Sequence, residues 1–243
     1  MSLQSLFRNL DLTDHEEVLK AANAALKQTK GDPEAQHVRI VALLKLDRFD
    51  DAIRAFDDAG DGLKKKAQLE WAYALYKAGR LQEAQEAADD GKGRGIQHVF
   101  AQSSYRLEHF DKAAVIYKKL STSQTEAQDE ESDLRINSAA VDAQLEWKGQ
   151  GHLVQKKKPS REDLEAFETA YNAACASIAR GELAQGEILL RRARDLCNAL
   201  EDLTDEEKKT EIIPIILQWI YVLSRQGKSE EAEKLKSQLD IEG

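Results

Sequence analysis

The stretch Leu75-Tyr76-Lys77-Ala78-Gly79-Arg80-Leu81-Gln82-Glu83-Ala84 decides the fold of this chain. It reads as an apolar helix that ends at Gly79, a short turn, and a second helix in which the small side chain of Ala84 allows close helix approach. The pattern recurs at four other places, where the small residue is Ala52, Ala113, Gly186 or Ala232. Because five copies agree, the sequence predicts a series of similar helix pairs.

The spacing of the copies identifies the type of repeat. Ala52 and Ala84 are 32 residues apart, and Ala84 and Ala113 are 29 apart, close to the period of about 34 of tetratricopeptide (TPR) repeats. Ala113 and Gly186 are separated by roughly two such periods, so a degenerate repeat lies between them. Its first helix is predicted over 130–147, and a loop over 149–159 replaces its second helix. The predicted fold is all-α, a TPR-type α-solenoid in which antiparallel helix pairs form a right-handed superhelix.

This organisation predicts a single solenoid domain over 1–243. Its repeats are expected at 3–31, 32–62, 63–92, 93–123, 128–159 (degenerate), 160–203 and 209–241. The first repeat would pair a short helix over Leu3–Leu10 with a helix over Asp14–Lys30. Helix starts are predicted at Thr13 or Asp14, at Asp32-Pro33 and at Ser160.

Charge and composition exclude several classes of protein. The formal net charge is −9, which is unfavourable for binding nucleic acid or an anionic membrane surface. No signal peptide or membrane span is predicted. The two cysteines, Cys175 and Cys197, are interpreted as reduced and buried, as expected of a cytoplasmic protein.

Catalytic and metal sites are not predicted. The five histidines have no Cys or His partner at metal-ligand spacing, and Cys175 has no base nearby in sequence. The segment Gly91-Lys92-Gly93-Arg94-Gly95 lacks the preceding strand and the Gly-Lys-Ser/Thr order of a phosphate loop, so it is interpreted as a turn between repeats. We therefore expect no enzyme activity, no cofactor and no metal.

A basic segment lies in the loop of the degenerate repeat. Lys156, Lys157 and Lys158 precede Pro159 and are interpreted as a solvated loop, with contact to RNA or a ribosome as the alternative.

The inward-facing positions of the first helices are the candidate protein-binding groove. Five of the six tyrosines of the chain fall at or beside such positions, and Tyr offers a rigid apolar face with one hydroxyl. Packing of these tyrosines between repeats is the alternative interpretation. The predicted groove residues are Tyr73, Tyr76, Gln102, Tyr105, Asn137, Tyr171, Asn172 and Tyr221.

Three strings resemble one family, the N-terminal TPR region of the seventy-two-kilodalton subunit of the eukaryotic signal recognition particle. They are Tyr105-Arg106-Leu107-Glu108-His109-Phe110-Asp111, Asn137-Ser138-Ala139-Ala140 with Trp147, and Tyr171-Asn172-Ala173-Ala174-Cys175-Ala176 with Arg194-Asp195-Leu196-Cys197. The missing helix before Ser160 also fits. The chain then looks like a fragment that lacks further repeats downstream.

The resemblance implies a function. A chain of this family would hold the C-terminal part of the particle's sixty-eight-kilodalton subunit in its groove and so support cotranslational targeting of proteins to the endoplasmic reticulum. It would meet the particle's RNA only through a basic region downstream, and a ribosome only within the whole particle. The particle is cytoplasmic, assembles partly in the nucleolus and docks at the endoplasmic reticulum. The alternative function is a TPR cochaperone or adaptor that binds a different peptide.

Overall fold

Helices make up the regular structure of the computed structural model, which describes residues 14–122, 128–154 and 158–241. The predicted helix over Leu3–Leu10 lies outside these ranges. In chain order the helices are α1 (His15–Gln28), α2 (Pro33–Lys45), α3 (Phe49–Ala59), α4 (Asp61–Lys66), α5 (Gln68–Lys77), α6 (Leu81–Ala88), α7 (Arg94–Arg106), α8 (Phe110–Thr122), α9 (Gln128–Trp147), a 3-10 turn (Glu162–Leu164), α10 (Phe167–Ala179), α11 (Leu183–Ala199), α12 (Asp205–Arg225) and α13 (Ser229–Ile241).

The turn between the two helices of a pair has the same backbone geometry in each repeat. After α5, Gly79 has a positive φ of 80°, and the N–H of Arg80 donates to the carbonyl of Leu75 at 2.9 Å. This left-handed residue with a six-residue hydrogen-bonded closure is a Schellman motif. The left-handed position is held by Asp47, Gly79, Glu108, Gly149, Gly181 and Gly227. The predicted turns are therefore confirmed, and two of them tolerate a residue other than Gly.

The predicted small positions lie where paired helices meet. Ala52, Ala84 and Ala113 are fully buried, and Ala232 is nearly so. Gly186 approaches its partner helix still more closely, because a Cβ built on it would lie 2.7 Å from Cγ1 of Ile178. The all-α TPR-type fold is thus confirmed in these helix pairs.

The chain divides into two compact units, one ending at Ile116 and the next beginning at Tyr117. In the first unit, α1 packs on α2, α2 on α3, α5 on α6 and α6 on α7. The short α4 lies between α3 and α5. The largest buried side chain of this unit, Phe56, is at the centre of a core that also contains Ile40 and Leu75.

In the second unit, α10 packs against both α9 and α11, and α12 packs against α11 and α13. No described residue between Trp147 and Glu162 is helical, which agrees with the prediction that the degenerate repeat lacks its second helix. The core of this unit contains Leu190, Ile215 and Leu223.

Helix starts follow the predicted capping residues, with one difference. The side chain of Asp14 accepts hydrogen bonds from two backbone N–H groups of α1, and Asp32 does the same for α2, with Pro33 at the first helical position. Ser160 and Asp163 form the reciprocal hydrogen bonds of a capping box, but they start only the 3-10 turn. The α-helix of that repeat begins at Phe167.

One interface between repeats contains buried polar groups. Nε2 of Gln85 on α6 donates to Oγ of Ser104 on α7 at 2.7 Å, and that hydroxyl donates to the carbonyl of Phe100 at 2.7 Å. Gln85 and Ser104 are both buried. A membrane-spanning helix is absent from the described ranges, since none of their helices combines the length and apolar character that a bilayer requires.

Candidate functional site

The first helices of successive repeats lie side by side in the unit that ends at Ile116. Helix α5 contacts α2 and α7, and Nε2 of His37 on α2 lies 3.2 Å from Oε1 of Glu70 on α5. We call the surface that α2, α5 and α7 present the first-helix surface of this unit. It corresponds to the predicted groove side of the repeats.

Tyr73 and Tyr76 lie on α5 but differ in how much of each ring is free. Tyr73 is 37% exposed, and its ring meets the edge of Phe49 at a centroid distance of 6.2 Å. Tyr76 is half-buried, and the guanidinium carbon of Arg106 lies 5.3 Å from its ring centroid. Tyr73 is therefore open to a ligand, whereas much of Tyr76 is used in packing between repeats.

Gln102 and Tyr105 lie on α7 and are both half-buried. The Tyr105 ring packs on Phe110, at the start of the partner helix α8, with a centroid distance of 5.4 Å and an interplanar angle of 65°. Tyr105 thus contributes to packing within its own repeat as well as to the first-helix surface.

Leu69 belongs to this surface and was missed by the sequence reasoning. It is 43% exposed and lies one helical turn before Tyr73. Its side chain covers Gly95 at the start of α7, where an added Cβ would lie 3.1 Å from Cδ2 of Leu69. Its position could have indicated this, because Leu69 lies ten residues before the turn glycine Gly79 and on the same helix face as Tyr73.

In the second unit, helices α9, α10 and α12 form the corresponding first-helix surface. Asn137 is half-buried on α9, and Asn172 is half-buried on α10. Nδ2 of Asn172 donates to the backbone carbonyl of Ile136 at 3.3 Å, so Asn172 joins α10 to α9. Only part of its hydrogen-bonding capacity is left for a ligand.

Tyr171 is half-buried on α10 and hydrogen-bonds the Cys175 thiol one turn later. Burial raises the pKa of Cys175 to about 11, and the hydrogen bond with Tyr171 opposes this shift only in part. A thiol with so high a pKa is almost entirely protonated at neutral pH and is a poor nucleophile. The Cys175 thiol beside Tyr171 is therefore held in its protonated form.

Tyr221 lies on α12 and is 39% exposed. Two further apolar residues precede it on the same face at four-residue intervals, Ile213 at 46% exposure and Leu217 at 54%. The sequence reasoning missed both. Residues 212–217 are aliphatic apart from Pro214, so sequence periodicity does not separate the exposed positions from the buried Ile215 and Ile216.

The eight predicted groove residues therefore fall into two groups. Tyr73, Tyr76, Gln102 and Tyr105 lie on α5 and α7 of the first unit, and Asn137, Tyr171, Asn172 and Tyr221 lie on α9, α10 and α12 of the second. Of these eight, only Tyr73 and Tyr221 are exposed, and the other six are half-buried.

Of the predicted basic segment, Lys156 and Lys157 lie outside the described residues. Lys158 is exposed and is near Glu182, whose pKa is lowered mainly by a hydrogen bond from Arg180 and to a smaller extent by the charge of Lys158. In the described ranges, no cluster of three or more His, Cys, Asp or Glu residues could hold a metal ion.

These helix pairs and their first-helix surfaces define a TPR-like repeat protein. The family model for the TPR-like repeat of the signal recognition particle (SRP_TPR_like) matches residues 11–144, more than half of the chain. The chain belongs to this family, which confirms the resemblance found in the sequence.

Curated relatives name the particle subunit. The chain is 30% identical over 235 residues to signal recognition particle subunit SRP72 of Canis lupus familiaris, covering 93% of this chain and 34% of that protein. The values for SRP72 of Homo sapiens are the same. SRP72 of Dictyostelium discoideum is 26% identical over 241 residues, covering 96% of this chain and 35% of that protein. The chain thus spans about a third of the length of these relatives.

Proposed function

We propose that the chain is a protein-binding scaffold of the signal recognition particle that holds the C-terminal part of the sixty-eight-kilodalton subunit on its first-helix surfaces. The single observation that carries this proposal is the exposed pair Leu69 and Tyr73, on the side of the repeats where TPR proteins bind peptides. Membership of the SRP TPR-like family and the names of the relatives support the choice of particle. The formal net charge of −9 favours protein over RNA as the ligand.

Binding would rely on a surface that is already formed. Helices α2, α5 and α7 are fixed by their packing on one another and on their partner helices, so little conformational entropy is lost on the scaffold side. The partner segment would become ordered as it binds. Tyr73 and Leu69 would provide apolar contacts, and Gln102 would provide hydrogen-bonding groups.

This function would place the chain in cotranslational targeting to the endoplasmic reticulum. The chain would act in the cytoplasm, during particle assembly in the nucleolus, and at the endoplasmic reticulum when the particle docks. It would act as a scaffold without enzymatic activity. Contact with the particle's RNA would depend on a region outside this chain, so we expect no shift of that RNA by the chain in a salt titration.

Calorimetric titration with the C-terminal segment of the sixty-eight-kilodalton subunit tests the proposal. Tyr105→Ala would remove the packing of a half-buried ring on Phe110 at a centroid distance of 5.4 Å. Tyr73 is exposed and its ring contact with Phe49 is longer, at 6.2 Å, so Tyr73→Ala is the cleaner variant. We expect Tyr73→Ala to weaken binding by about 2 kcal/mol or more, as for a central interface residue. This corresponds to a Kd at least about 30-fold higher.

The control is Val115→Ala, which removes a side chain that is 66% exposed on the second helix α8. It should change the Kd less than about twofold. A wild-type chain that does not bind the segment would refute this partner. Binding to an acidic chaperone-tail peptide instead would establish the cochaperone alternative.

A further inference from the structure

Two repeats, one in each compact unit, contain the same first-helix sequence pattern. The segments Leu69-Glu70-Trp71-Ala72-Tyr73-Ala74-Leu75-Tyr76-Lys77-Ala78-Gly79 and Leu217-Gln218-Trp219-Ile220-Tyr221-Val222-Leu223-Ser224-Arg225-Gln226-Gly227 align without a gap. Leu, Trp, Tyr, Leu and Gly are identical between them, and the basic Lys77 corresponds to Arg225. Gly79 and Gly227 are both left-handed turn residues, so the alignment also matches the structural register.

Packing explains part of this shared pattern. Leu75 and Leu223 are each 1% exposed, and Trp219 is 6% exposed. Trp71 packs on Phe56 with a ring-centroid distance of 5.2 Å. These Trp and Leu positions are therefore core positions of the repeat.

Packing explains the remaining shared residues only in part, because they stay exposed despite contacts such as that of Leu69 with Gly95. Leu69 and Tyr73 are 43% and 37% exposed, and Leu217 and Tyr221 are 54% and 39% exposed. In each helix the Leu, the Tyr and the basic residue follow at four-residue intervals and so lie along one face. We call Leu69, Tyr73 and Lys77 the first stripe, and Leu217, Tyr221 and Arg225 the second stripe.

The basic end of each stripe is available to a ligand. Lys77 and Arg225 are exposed, and neither forms an ion pair with another residue in the described part of the chain. Lys77 is held above the Phe49 ring, with Nζ 5.4 Å from its centroid. Each stripe therefore presents two apolar side chains and then an unneutralised positive charge.

The four other repeats whose first helix the structure describes lack this combination. At the same two positions, ten and six residues before the left-handed turn residue, they have His37 and Val41, His98 and Gln102, Ala139 and Ala143, and Tyr171 and Cys175. None of these pairs combines an exposed Leu with an exposed Tyr, and the partly exposed His37 side chain lies 3.2 Å from Glu70. The two stripes are therefore a feature of two particular repeats and not a general consequence of the repeat fold.

We propose that each stripe binds a short segment of a partner protein that presents two apolar side chains followed by an Asp or Glu. This inference rests on the proposed function in taking the first-helix surface as the side that binds protein. Residues four apart on a helix are separated by about 6 Å along its axis, which matches one turn of a bound helix or two residues of an extended chain. The acidic side chain pairs with Lys77 or Arg225, so the ligand's charge is set by the stripe.

Because the stripes are alike, both accept the same kind of segment. One chain then binds two such segments, one on each unit.

Selection from a displayed library of random peptides on the intact chain tests this inference without assuming a partner. We expect enrichment of two apolar residues and one Asp or Glu at the spacing given above. Calorimetry with the enriched peptide should give two peptides bound per wild-type chain. The variant Leu69→Ala/Tyr73→Ala should bind one, Leu217→Ala/Tyr221→Ala should bind one, and the chain with all four changes should bind none.

Charge reversal separates binding from folding. Lys77→Glu and Arg225→Glu leave both apolar pairs intact, and each should weaken binding at its own stripe at least about tenfold. The control Val115→Ala/Ile188→Ala removes two exposed apolar side chains from the second helices α8 and α11, outside the stripes, and should still bind two peptides. Circular dichroism would verify that each variant is folded.

Failure to enrich this pattern, a stoichiometry of one for the wild type, or insensitivity to both charge reversals would overturn the inference. The result is distinct from the test of the sixty-eight-kilodalton partner. If the peptide pattern is enriched and two peptides bind per chain, but the sixty-eight-kilodalton subunit does not bind, only the proposed partner is refuted. If the subunit binds but the peptide pattern is not enriched, only the inference about the two stripes is refuted.

Discussion

Replacing Gly186 with Ala measures how closely α10 and α11 must approach each other. The added Cβ would lie 2.7 Å from Cγ1 of Ile178 and 3.6 Å from the carbonyl oxygen of Ala174, whereas non-bonded carbons normally rest about 3.5–4.0 Å apart. Ile178 is only 6% exposed, so it has little space into which to move. Overpacking of this kind costs about 1–3 kcal/mol.

An opposing effect reduces this loss. Ala in place of Gly within a helix contributes about 0.5–1 kcal/mol to stability. We therefore expect Gly186→Ala to lower the free energy of unfolding by about 1 kcal/mol. For a chain of this size, that loss corresponds to a fall in Tm of about 2–4 °C.

Thermal unfolding followed by circular dichroism would measure this change. Gly62→Ala in α4 is the control, because an added Cβ there meets nothing within 4 Å, and it should be neutral or stabilising. In the double variant Gly186→Ala/Ile178→Ala, the new methyl group partly fills the space left by Ile178. The combined loss should therefore be smaller than the sum of the two single losses. A Tm for Gly186→Ala at or above that of the wild type would refute the steric argument.

Three further predictions concern the core, an ion pair and a thiol. Phe56→Ala, at a fully buried position, should lower the free energy of unfolding by about 3–5 kcal/mol, as measured by urea unfolding. A decrease of less than about 1 kcal/mol would contradict the central place of Phe56 in the core. Glu187 is buried and is bonded to Lys228 at 2.8 Å and to Arg191; burial raises its pKa, but these two partners outweigh that and lower it. Because the pKa of Glu187 is lower in the folded state, its contribution to stability is complete above about pH 4.5 and is lost as the pH falls. Glu187→Gln should therefore reduce the difference in unfolding free energy between neutral and acid pH. Cys175, with its pKa of about 11, should react with iodoacetamide at pH 7.5 at least about tenfold more slowly than an unstructured thiol, and equal rates would show that it is not buried.

Much of the fold was predictable because repetition makes a weak local signal strong. The turns around Gly79, Gly181 and Gly227 share one backbone geometry, and the small residues that precede the second-helix contacts are buried. The extra helix α4 and the late start of α10 were not predictable in the same way. Each occurs once in the chain and has no second copy with which it can be compared.

The candidate site was predicted less completely. The tyrosine pattern found Tyr73 and Tyr221, which are exposed, but it could not separate them from Tyr105, whose ring packs on Phe110. That distinction depends on the neighbouring helix, which sequence periodicity does not specify. Leu69 and Leu217 were missed because a Leu on a helix is expected in the core, and only their exposure in the folded structure reveals the difference.

The hydrogen bond between Gln85 and Ser104 has a consequence for how the chain finds its correct neighbour pairing. Helix pairs built mainly from Ala and Leu could stack in several orders with similar apolar contacts. A Gln85 placed against a helix without a hydroxyl at the facing position would be buried without this partner, at a cost of about 1–3 kcal/mol. This hydrogen bond therefore makes the pairing of α6 with α7 specific, because it disfavours stacking of either helix on the wrong repeat.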